Sequence, residues 1–136
     1  MDVIKVVEVP GLYYMDNIID NYEEIITYLD EQKWEPITKY TNSRMVQHYG
    51  YKYNYSNKSI KEPTTPIPHL LSSELVEQLI DICQQFSLID NTYEFNQCIV
   101  NNYNPGQGIS KHFDKITFGN VIGCFTLLGG ATMIFR

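Results

Sequence analysis

The order of apolar and polar residues predicts a strand, two helices and then a series of strands. Residues 2–9 are rich in Val and Ile and indicate a strand, which Pro10 and Gly11 end. A helix capped by Asp16 is predicted next, because apolar residues recur along one helical face. These residues are Ile18, Ile19, Tyr22, Ile25, Ile26 and Leu29. We expect this face to pack in the core, with Trp34 beside it just past the helix end.

A second apolar stripe predicts a second helix that begins at Ser72 or Ser73, with acidic residues in its first turn. Its buried face consists of Leu75, Val76, Leu79, Ile82, Cys83 and Phe86. Between the helices, residues 44–55 alternate tyrosines with other residues and predict a strand or hairpin. Residues 61–68 contain three prolines and predict an irregular connection.

The last third of the chain predicts strands. Alternation over residues 95–103 puts Asn101 and Tyr103 on one side of a strand, and residues 105–108 form a turn. Residues 121–128 and 131–135 predict two more strands. The fold class is therefore α+β, with helices packed on a sheet or jelly-roll core. We expect residues 1–136 to form a single domain.

Composition narrows the classes of protein. The chain has 136 residues, of which 43% are hydrophobic, enough to bury a core. It contains no transmembrane run and no export signal, so we expect a cytoplasmic or nuclear protein that is not secreted and does not contact a membrane. Its three cysteines form no C-x-x-C pair, which argues against a disulfide framework and against a zinc knuckle.

Charge is distributed unevenly along the chain. The net charge of −6 by itself argues against nucleic acid as a partner. Residues 36–61, however, contain five basic residues, no acidic residue and five tyrosines. This basic window carries +5, so the remainder of the chain carries −11. The contrast indicates one segment suited to phosphates and exposed bases.

The motif with the clearest chemistry is His112-Phe113-Asp114. On an extended backbone, residues two apart point the same way, so the imidazole and the carboxylate converge. Nonheme iron(II) oxygenases hold their metal with two histidines and one carboxylate. An H-x-D alone is weak support, since a surface His–Asp hydrogen bond gives the same pattern.

The residues around this motif resemble the AlkB family of dioxygenases. Asn101-x-Tyr103, the Pro105-Gly106 turn and the H-x-D follow one another at the family's spacing, and residues 122–135 resemble its next strand pair, with Leu128 as a departure. The resemblance implies a jelly-roll fold that uses Fe(II) and 2-oxoglutarate. It implies that His112 and Asp114 bind iron and that Asn101 and Tyr103 contact 2-oxoglutarate.

A second resemblance lies in the basic window. Residues 44–51 resemble the R-x-x-x-H-[FY]-G-Y segment of the AlkB branch that hydroxylates wobble uridine in tRNA. In the family this segment belongs to the nucleotide-recognition lid. The resemblance implies nucleic acid as the partner, with tRNA slightly favoured over DNA. The residues implied to contact it are Lys39, Arg44, His48, Tyr49, Tyr51 and Lys52.

Two residues that the family uses are not found downstream of Asp114. The resemblance implies a second iron-binding histidine and an arginine for 2-oxoglutarate, but no histidine follows Asp114, and Arg136 comes too early to match the arginine. We therefore expect a domain that is incomplete at its C-terminus, which a second polypeptide could complete.

Three functions remain open. The first is oxidative hydroxylation or demethylation of a modified nucleic-acid base. The second is a truncated, catalytically inactive remnant that binds nucleic acid through the basic window. The third is a plain α+β domain whose H-x-D is accidental, in which case His112→Ala would change stability but no ligand affinity.

Overall fold

The computed structural model describes residues 3–38, 42–55, 57–110, 112–114 and 118–135. These residues form two helical segments and seven short strands, a mixture that agrees with the predicted α+β class. The strands are β1 (Val3–Lys5), β2 (Tyr13–Met15), β3 (Glu35–Pro36), β4 (Met45–Tyr49), β5 (Tyr51–Asn54), β6 (Ser59–Pro63) and β7 (Cys98–Asn102).

All strand pairs are antiparallel. β1 pairs with β2, β5 pairs with β6, and β4 lies between β3 and β7 in a three-stranded sheet. Of the strand or hairpin predicted over residues 44–55, strands are confirmed as β4 and β5. The hairpin is wrong, because β4 and β5 belong to different sheets. The predicted irregular connection also begins later than expected, because β6 extends to Pro63.

The switch between these two sheets occurs at Gly50. Its φ is +80°, a value that side chains rarely adopt. Its N–H donates to the Thr65 carbonyl at 2.7 Å, and its carbonyl accepts from the Thr64 N–H at 3.0 Å. A Cβ at this position would lie 1.9 Å from the Asn96 carbonyl oxygen. Only glycine fits where three stretches of backbone meet.

The first helix, α1 (Tyr22–Asp30), starts later than the sequence predicts. Asn21 precedes it, and its carbonyl accepts the first helical bond, from the Ile25 N–H at 3.1 Å. Asp16 is not its cap, because that carboxylate accepts a hydrogen bond from the Tyr14 hydroxyl at 2.5 Å. The helix nevertheless buries Ile25 and Leu29, two members of the predicted apolar stripe.

The second helical segment runs from His69 to Gln85. It comprises α2 (His69–Leu71), a π-helical turn (Ser72–Val76) and α3 (Glu77–Gln85), and the residues that join them have right-handed helical dihedrals. It begins after Pro68 because the Ser72 N–H donates to the Pro68 carbonyl at 3.0 Å. The predicted start at Ser72 or Ser73 is therefore wrong by one turn. No helix in the described ranges is long and apolar enough to span a membrane.

The core joins both helical segments to the central sheet. Its buried cluster consists of Ile25, Leu29, Tyr49, Leu71 and Leu75. Partly buried residues pack around this cluster. They include Trp34, which follows α1, Cys98 and Val100 in β7, and Phe125 and Leu127 in the C-terminal part. Trp34 thus packs beside the core, as predicted, and is partly buried.

A buried hydrogen-bond chain ties α1 to β4. The Gln47 side-chain amide donates to the Leu29 carbonyl at 2.8 Å, and its oxygen accepts from the Tyr49 hydroxyl at 2.6 Å. Gln47 is only 4% exposed, so both ends of its amide need these partners. The chain fixes which face of β4 points to the helices.

No strand is assigned among residues 118–135, so the strands predicted at 121–128 and 131–135 are wrong for the part of the chain that is described. Part of the apolar run over residues 121–128 still faces inward, because Phe125 and Leu127 pack against the core while Leu128 is exposed. Gly123 lies close to Leu79: a Cβ there would be 2.3 Å from the leucine Cδ2. The segment is held by packing against the helices.

Gly50→Ala is expected to lower the free energy of unfolding by at least about 3 kcal/mol, because it adds both a left-handed φ penalty and a backbone clash. Gly11→Ala is the matched control: Gly11 has φ +85° and nothing within 4 Å of the added Cβ. That control should lose only about 1–2 kcal/mol. Urea unfolding measures both values, and equal losses would contradict the close approach at Gly50.

Candidate functional site

The central sheet has two chemically different faces. Its pairing register sets Tyr49 opposite Cys98 and Val46 opposite Asn101. Tyr49 and Cys98 point towards the helices and the core. Because side chains alternate along a strand, His48 and Asn101 belong to the opposite face. This opposite face holds the candidate ligand-binding residues.

Arg44, which immediately precedes β4, contacts Asn101 on that face. The Arg44 Nε donates to the Asn101 Oδ1 at 2.9 Å. The guanidinium also lies over two aromatic rings, 5.7 Å from the centre of Tyr55 and 6.0 Å from that of Tyr103. Arg44, Asn101 and Tyr103 are therefore brought together, as is Tyr55, which was not predicted as a site residue.

Further aromatic rings extend this cluster. Tyr55 packs against His48 at 5.7 Å and against Tyr53 at 4.8 Å between ring centres, and Tyr53 contacts Phe118 at 5.7 Å. Tyr53 and Tyr55 belong to the basic window, but neither is among the individual nucleic-acid contacts that the resemblance implies. The sequence signal that could have found these two tyrosines is that both follow Gly50 and lie two residues apart, which puts them on the same side of a strand.

The Tyr55 hydroxyl is buried without a hydrogen bond of good geometry to any described residue. Burial raises its pKa, while the neighbouring Arg44 guanidinium acts in the opposite direction. Burial likewise raises the pKa of Tyr103, again opposed by Arg44. Both phenols are therefore protonated near neutral pH and keep their O–H as a donor.

His48 is half-buried on the same face. Its Nδ1 faces the Tyr53 backbone N–H at 3.4 Å, a contact that requires a lone pair on that nitrogen. Burial lowers the His48 pKa, and the Lys52 ammonium lowers it further, against a smaller effect of Glu35. His48 is thus a neutral acceptor in the folded protein.

His112 and Asp114 lie side by side in a segment without strand pairing. The His112 Nε2 is 3.6 Å from the Asp114 Oδ1, and the two side chains are 54% and 58% exposed. The imidazole and the carboxylate therefore converge, as the spacing of two residues predicts. Exposure leaves room for a ligand at both groups.

The other imidazole nitrogen supports a metal-binding tautomer. The His112 Nδ1 lies 2.8 Å from the Ser110 carbonyl oxygen, which can only accept. In the neutral tautomer with the proton on Nδ1, the Nε2 lone pair points towards the Asp114 carboxylate, and a cation between the two groups would be stabilised by both. The donor set of one imidazole and one carboxylate fits iron(II).

Among the described residues, a third protein ligand is not found beside these two. Within the described residues, no group of three His, Cys, Asp or Glu side chains could hold a metal ion. His48 is engaged in the aromatic cluster, and His69 is exposed at the start of α2.

Gln107 was not predicted as a site residue, although it connects the chain before His112 to the chain before Arg44. Its Nε2 donates to the Asn42 Oδ1 at 2.9 Å and to the Ser43 carbonyl at 3.1 Å. Its Oε1 accepts from the Asn104 N–H at 2.9 Å. Gln107 thereby ties the turn before His112 to the backbone just before Arg44. A glutamine between two glycines carries no sequence signal for such a role.

The other residues predicted to contact nucleic acid differ in how deeply they are buried. Tyr49 is a core residue, 7% exposed, so its ring is not available to stack on a base. Tyr51 and Lys52 are half-buried in β5. Lys39 lies outside the described residues.

Comparison with known proteins identifies one family. The model of the 2OG-Fe(II) oxygenase superfamily matches residues 20–136. That range includes both candidate iron ligands, the Arg44–Asn101 pair and the basic window. No solved structure matches the chain significantly.

Several curated proteins are similar over most of the chain. A Xenopus tropicalis protein named tRNA (carboxymethyluridine(34)-5-O)-methyltransferase alkbh8 is 33% identical over 77% of this chain, which spans 16% of that protein. An Arabidopsis thaliana "Alkylated DNA repair protein ALKBH8 homolog" is 29% identical over 94% of the chain, which spans 37% of it. A mimivirus protein of uncharacterized function is 32% identical over 85% of the chain, which spans 51% of it. The predicted resemblance to the AlkB family and its tRNA branch is confirmed.

Acidification is expected to destabilise the fold through His48. Its pKa is lower in the folded protein, so its stabilising effect is complete above the ordinary histidine pKa of 6.5 and is lost as the pH falls below that value. The free energy of unfolding, measured by urea titration between about pH 7.5 and pH 5.5, should fall less in His48→Gln than in the unchanged protein. His69→Gln, at an exposed position, should keep the full pH dependence; a reduced dependence in that control would contradict the assignment.

Proposed function

The chain belongs to the 2OG-Fe(II) oxygenase superfamily, and from that premise we propose that it oxidises a modified base in nucleic acid. The reaction is hydroxylation, or demethylation of an N-methyl group, with Fe(II) and 2-oxoglutarate as cofactors. The observation that carries the proposal is the approach of the His112 Nε2 to the Asp114 Oδ1 at 3.6 Å, both accessible.

In this proposal His112 and Asp114 hold the iron. The Ser110 carbonyl, 2.8 Å from the His112 Nδ1, fixes the ring and keeps the Nε2 lone pair free for the metal. Bound iron supplies the activation of dioxygen that an unassisted side chain cannot provide. The exposure of both side chains allows a substrate base to approach them.

A site of two histidines and one carboxylate needs one more imidazole. The described residues bring no third ligand to His112 and Asp114. We propose that residues 1–136 form one unit of the catalytic domain and that the second histidine comes from elsewhere in the full protein or from a second polypeptide. A jelly-roll core built around β4 and β7 is part of the same proposal.

Asn101 and Tyr103 are the proposed contacts for 2-oxoglutarate. Both belong to the sheet face opposite the core, and both can donate to a carboxylate. The raised pKa of Tyr103 keeps its hydroxyl protonated, so it donates at neutral pH. Asn101 is accessible at the edge of the Arg44 cluster.

The proposed substrate is tRNA rather than DNA. Support comes from the +5 charge of residues 36–61 in an otherwise acidic chain, and from relatives whose names specify uridine 34 of tRNA, against one that specifies alkylated DNA. Lys39, Lys52, Tyr51 and His48 are the proposed contacts, with lysines on phosphates and rings on an exposed base. A base must leave its stack to reach His112 and Asp114.

The alternative is binding without catalysis. It is favoured by one observation, the lack of a third metal ligand among the described residues. Under this alternative the basic window would bind RNA while His112 and Asp114 would take up no metal.

Metal uptake separates the two. The full protein should bind one Fe(II), and His112→Ala or Asp114→Ala should weaken that affinity by at least about 10–100-fold, since even outer partners of metal ligands have effects of that size. His69→Ala is the control, an exposed histidine remote in sequence from the pair. Anaerobic equilibrium dialysis measures binding, and mass spectrometry of an anticodon stem-loop carrying a modified uridine detects the added oxygen. Equal iron affinity in all variants would rule the proposed site out.

Salt dependence of RNA binding tests the basic window. Lys52→Gln should weaken binding to a single-stranded anticodon loop and reduce the slope of log affinity against log salt by about 0.7, the value for one phosphate contact. Lys33→Gln removes the same charge from an exposed position outside the window and should leave the slope unchanged. If both variants changed the slope equally, charge alone would explain binding and the window would have no special role.

A further inference from the structure

We propose that Arg44 is a positioning residue for 2-oxoglutarate: it holds the Asn101 side chain so that its amide NH₂ faces the ligand carboxylate. This role differs from the phosphate contact that the lid resemblance implies for Arg44. The inference rests on the proposed function, because it needs 2-oxoglutarate at Asn101 and Tyr103. It assigns to Arg44 a role that acts through Asn101.

The hydrogen bond between these residues determines the orientation of the amide. A guanidinium only donates, so the Asn101 atom 2.9 Å from the Arg44 Nε must be the oxygen. The Asn101 NH₂ then points away from Arg44. An amide free to rotate would offer oxygen and nitrogen to a carboxylate alternately, and the oxygen would repel it. Arg44 removes the unfavourable orientation before the ligand arrives.

Arg44 itself is held from two sides. Its guanidinium lies over the rings of Tyr55 and Tyr103, 5.7 and 6.0 Å from their centres. Tyr103 is the second proposed contact for 2-oxoglutarate, so one arginine touches both. The backbone just before it is also anchored, because Gln107 donates to the Ser43 carbonyl at 3.1 Å. The side chain is therefore placed before binding, which limits the entropy lost on binding.

The positive charge of Arg44 adds a second effect. The side chain is half-buried, where attraction to a carboxylate is stronger than in bulk water. Lysine could supply the charge but not the Nε–H in the plane of a guanidinium stacked on rings. Substitution of Arg44 by lysine therefore separates the effect of the positive charge from the effect of orienting Asn101.

The test measures the affinity of the full protein for 2-oxoglutarate by calorimetry, with Mn(II) in place of iron so that no turnover occurs. Arg44→Gln should weaken it by on the order of 10-fold or more. Arg44→Lys should recover only part of the loss. The control is Lys33→Gln, which removes a positive charge from an exposed position outside the basic window and should change this affinity less than about twofold.

A double-mutant cycle identifies the route of the effect. If Arg44 acts through Asn101, adding Arg44→Gln to Asn101→Ala should weaken binding little beyond Asn101→Ala alone. Independent, additive losses would overturn the positioning role. The side-chain amide signals of Asn101 provide a ligand-free readout by NMR: they should be those of a fixed group in the unchanged protein and of a rotating group in Arg44→Gln and Arg44→Lys, with thermal unfolding confirming that each variant is folded.

The outcomes distinguish this inference from the proposed function. If the unchanged protein does not bind 2-oxoglutarate, both are overturned. If it binds and Arg44→Gln binds equally well, or if Arg44→Gln loses only RNA affinity, the proposed function stands and the positioning role is overturned. Loss of 2-oxoglutarate affinity with a mobile Asn101 amide supports both.

Discussion

The pairing of β4 with β7 is the constraint on which the site depends. Five residue pairs, from Met45 opposite Asn102 to Tyr49 opposite Cys98, set one register. In that register Val46 faces Asn101, which brings Arg44 within hydrogen-bond distance of the Asn101 amide. A slip by one residue would put Tyr49 and Asn101 on the same face of the sheet, so that either Tyr49 would leave the core or Asn101 would enter it. The buried Gln47 bonds to Leu29 and Tyr49 make such a slip costly, so the core fixes the geometry of the opposite face.

Gly50 explains how one tyrosine-rich segment contributes both to the core and to the candidate site. Tyr49 lies before the glycine and enters the core, whereas Tyr53 and Tyr55 lie after it and join the cluster around Arg44 and His48. A regular strand would have kept all these alternating tyrosines on one side. The left-handed turn at Gly50 and the change of sheet partner from β7 to β6 break that rule.

Sequence alone predicted the elements and contacts that depend on local periodicity or short spacing. The apolar stripe of α1, the strand that carries Asn101 and the approach of His112 to Asp114 follow from neighbours a few residues apart. It did not predict the start of the second helical segment, which a backbone bond to Pro68 determines. Nor could it predict the Arg44–Asn101 bond, because 57 residues separate the partners and only the sheet register unites them.

The net charge of −6 is a poor guide to what this protein binds, because electrostatic interactions at the surface are local. At physiological salt a charge is screened over about 8 Å, so a phosphate at the basic window responds to nearby lysines more than to distant carboxylates. Lys52 is close enough to His48 to lower its pKa, with Glu35 as a weaker opposing influence on the same ring. Under the proposed function, the acidic remainder would repel an approaching nucleic acid everywhere except at the basic window. The charge distribution would then orient nucleic acid by repulsion as well as by attraction.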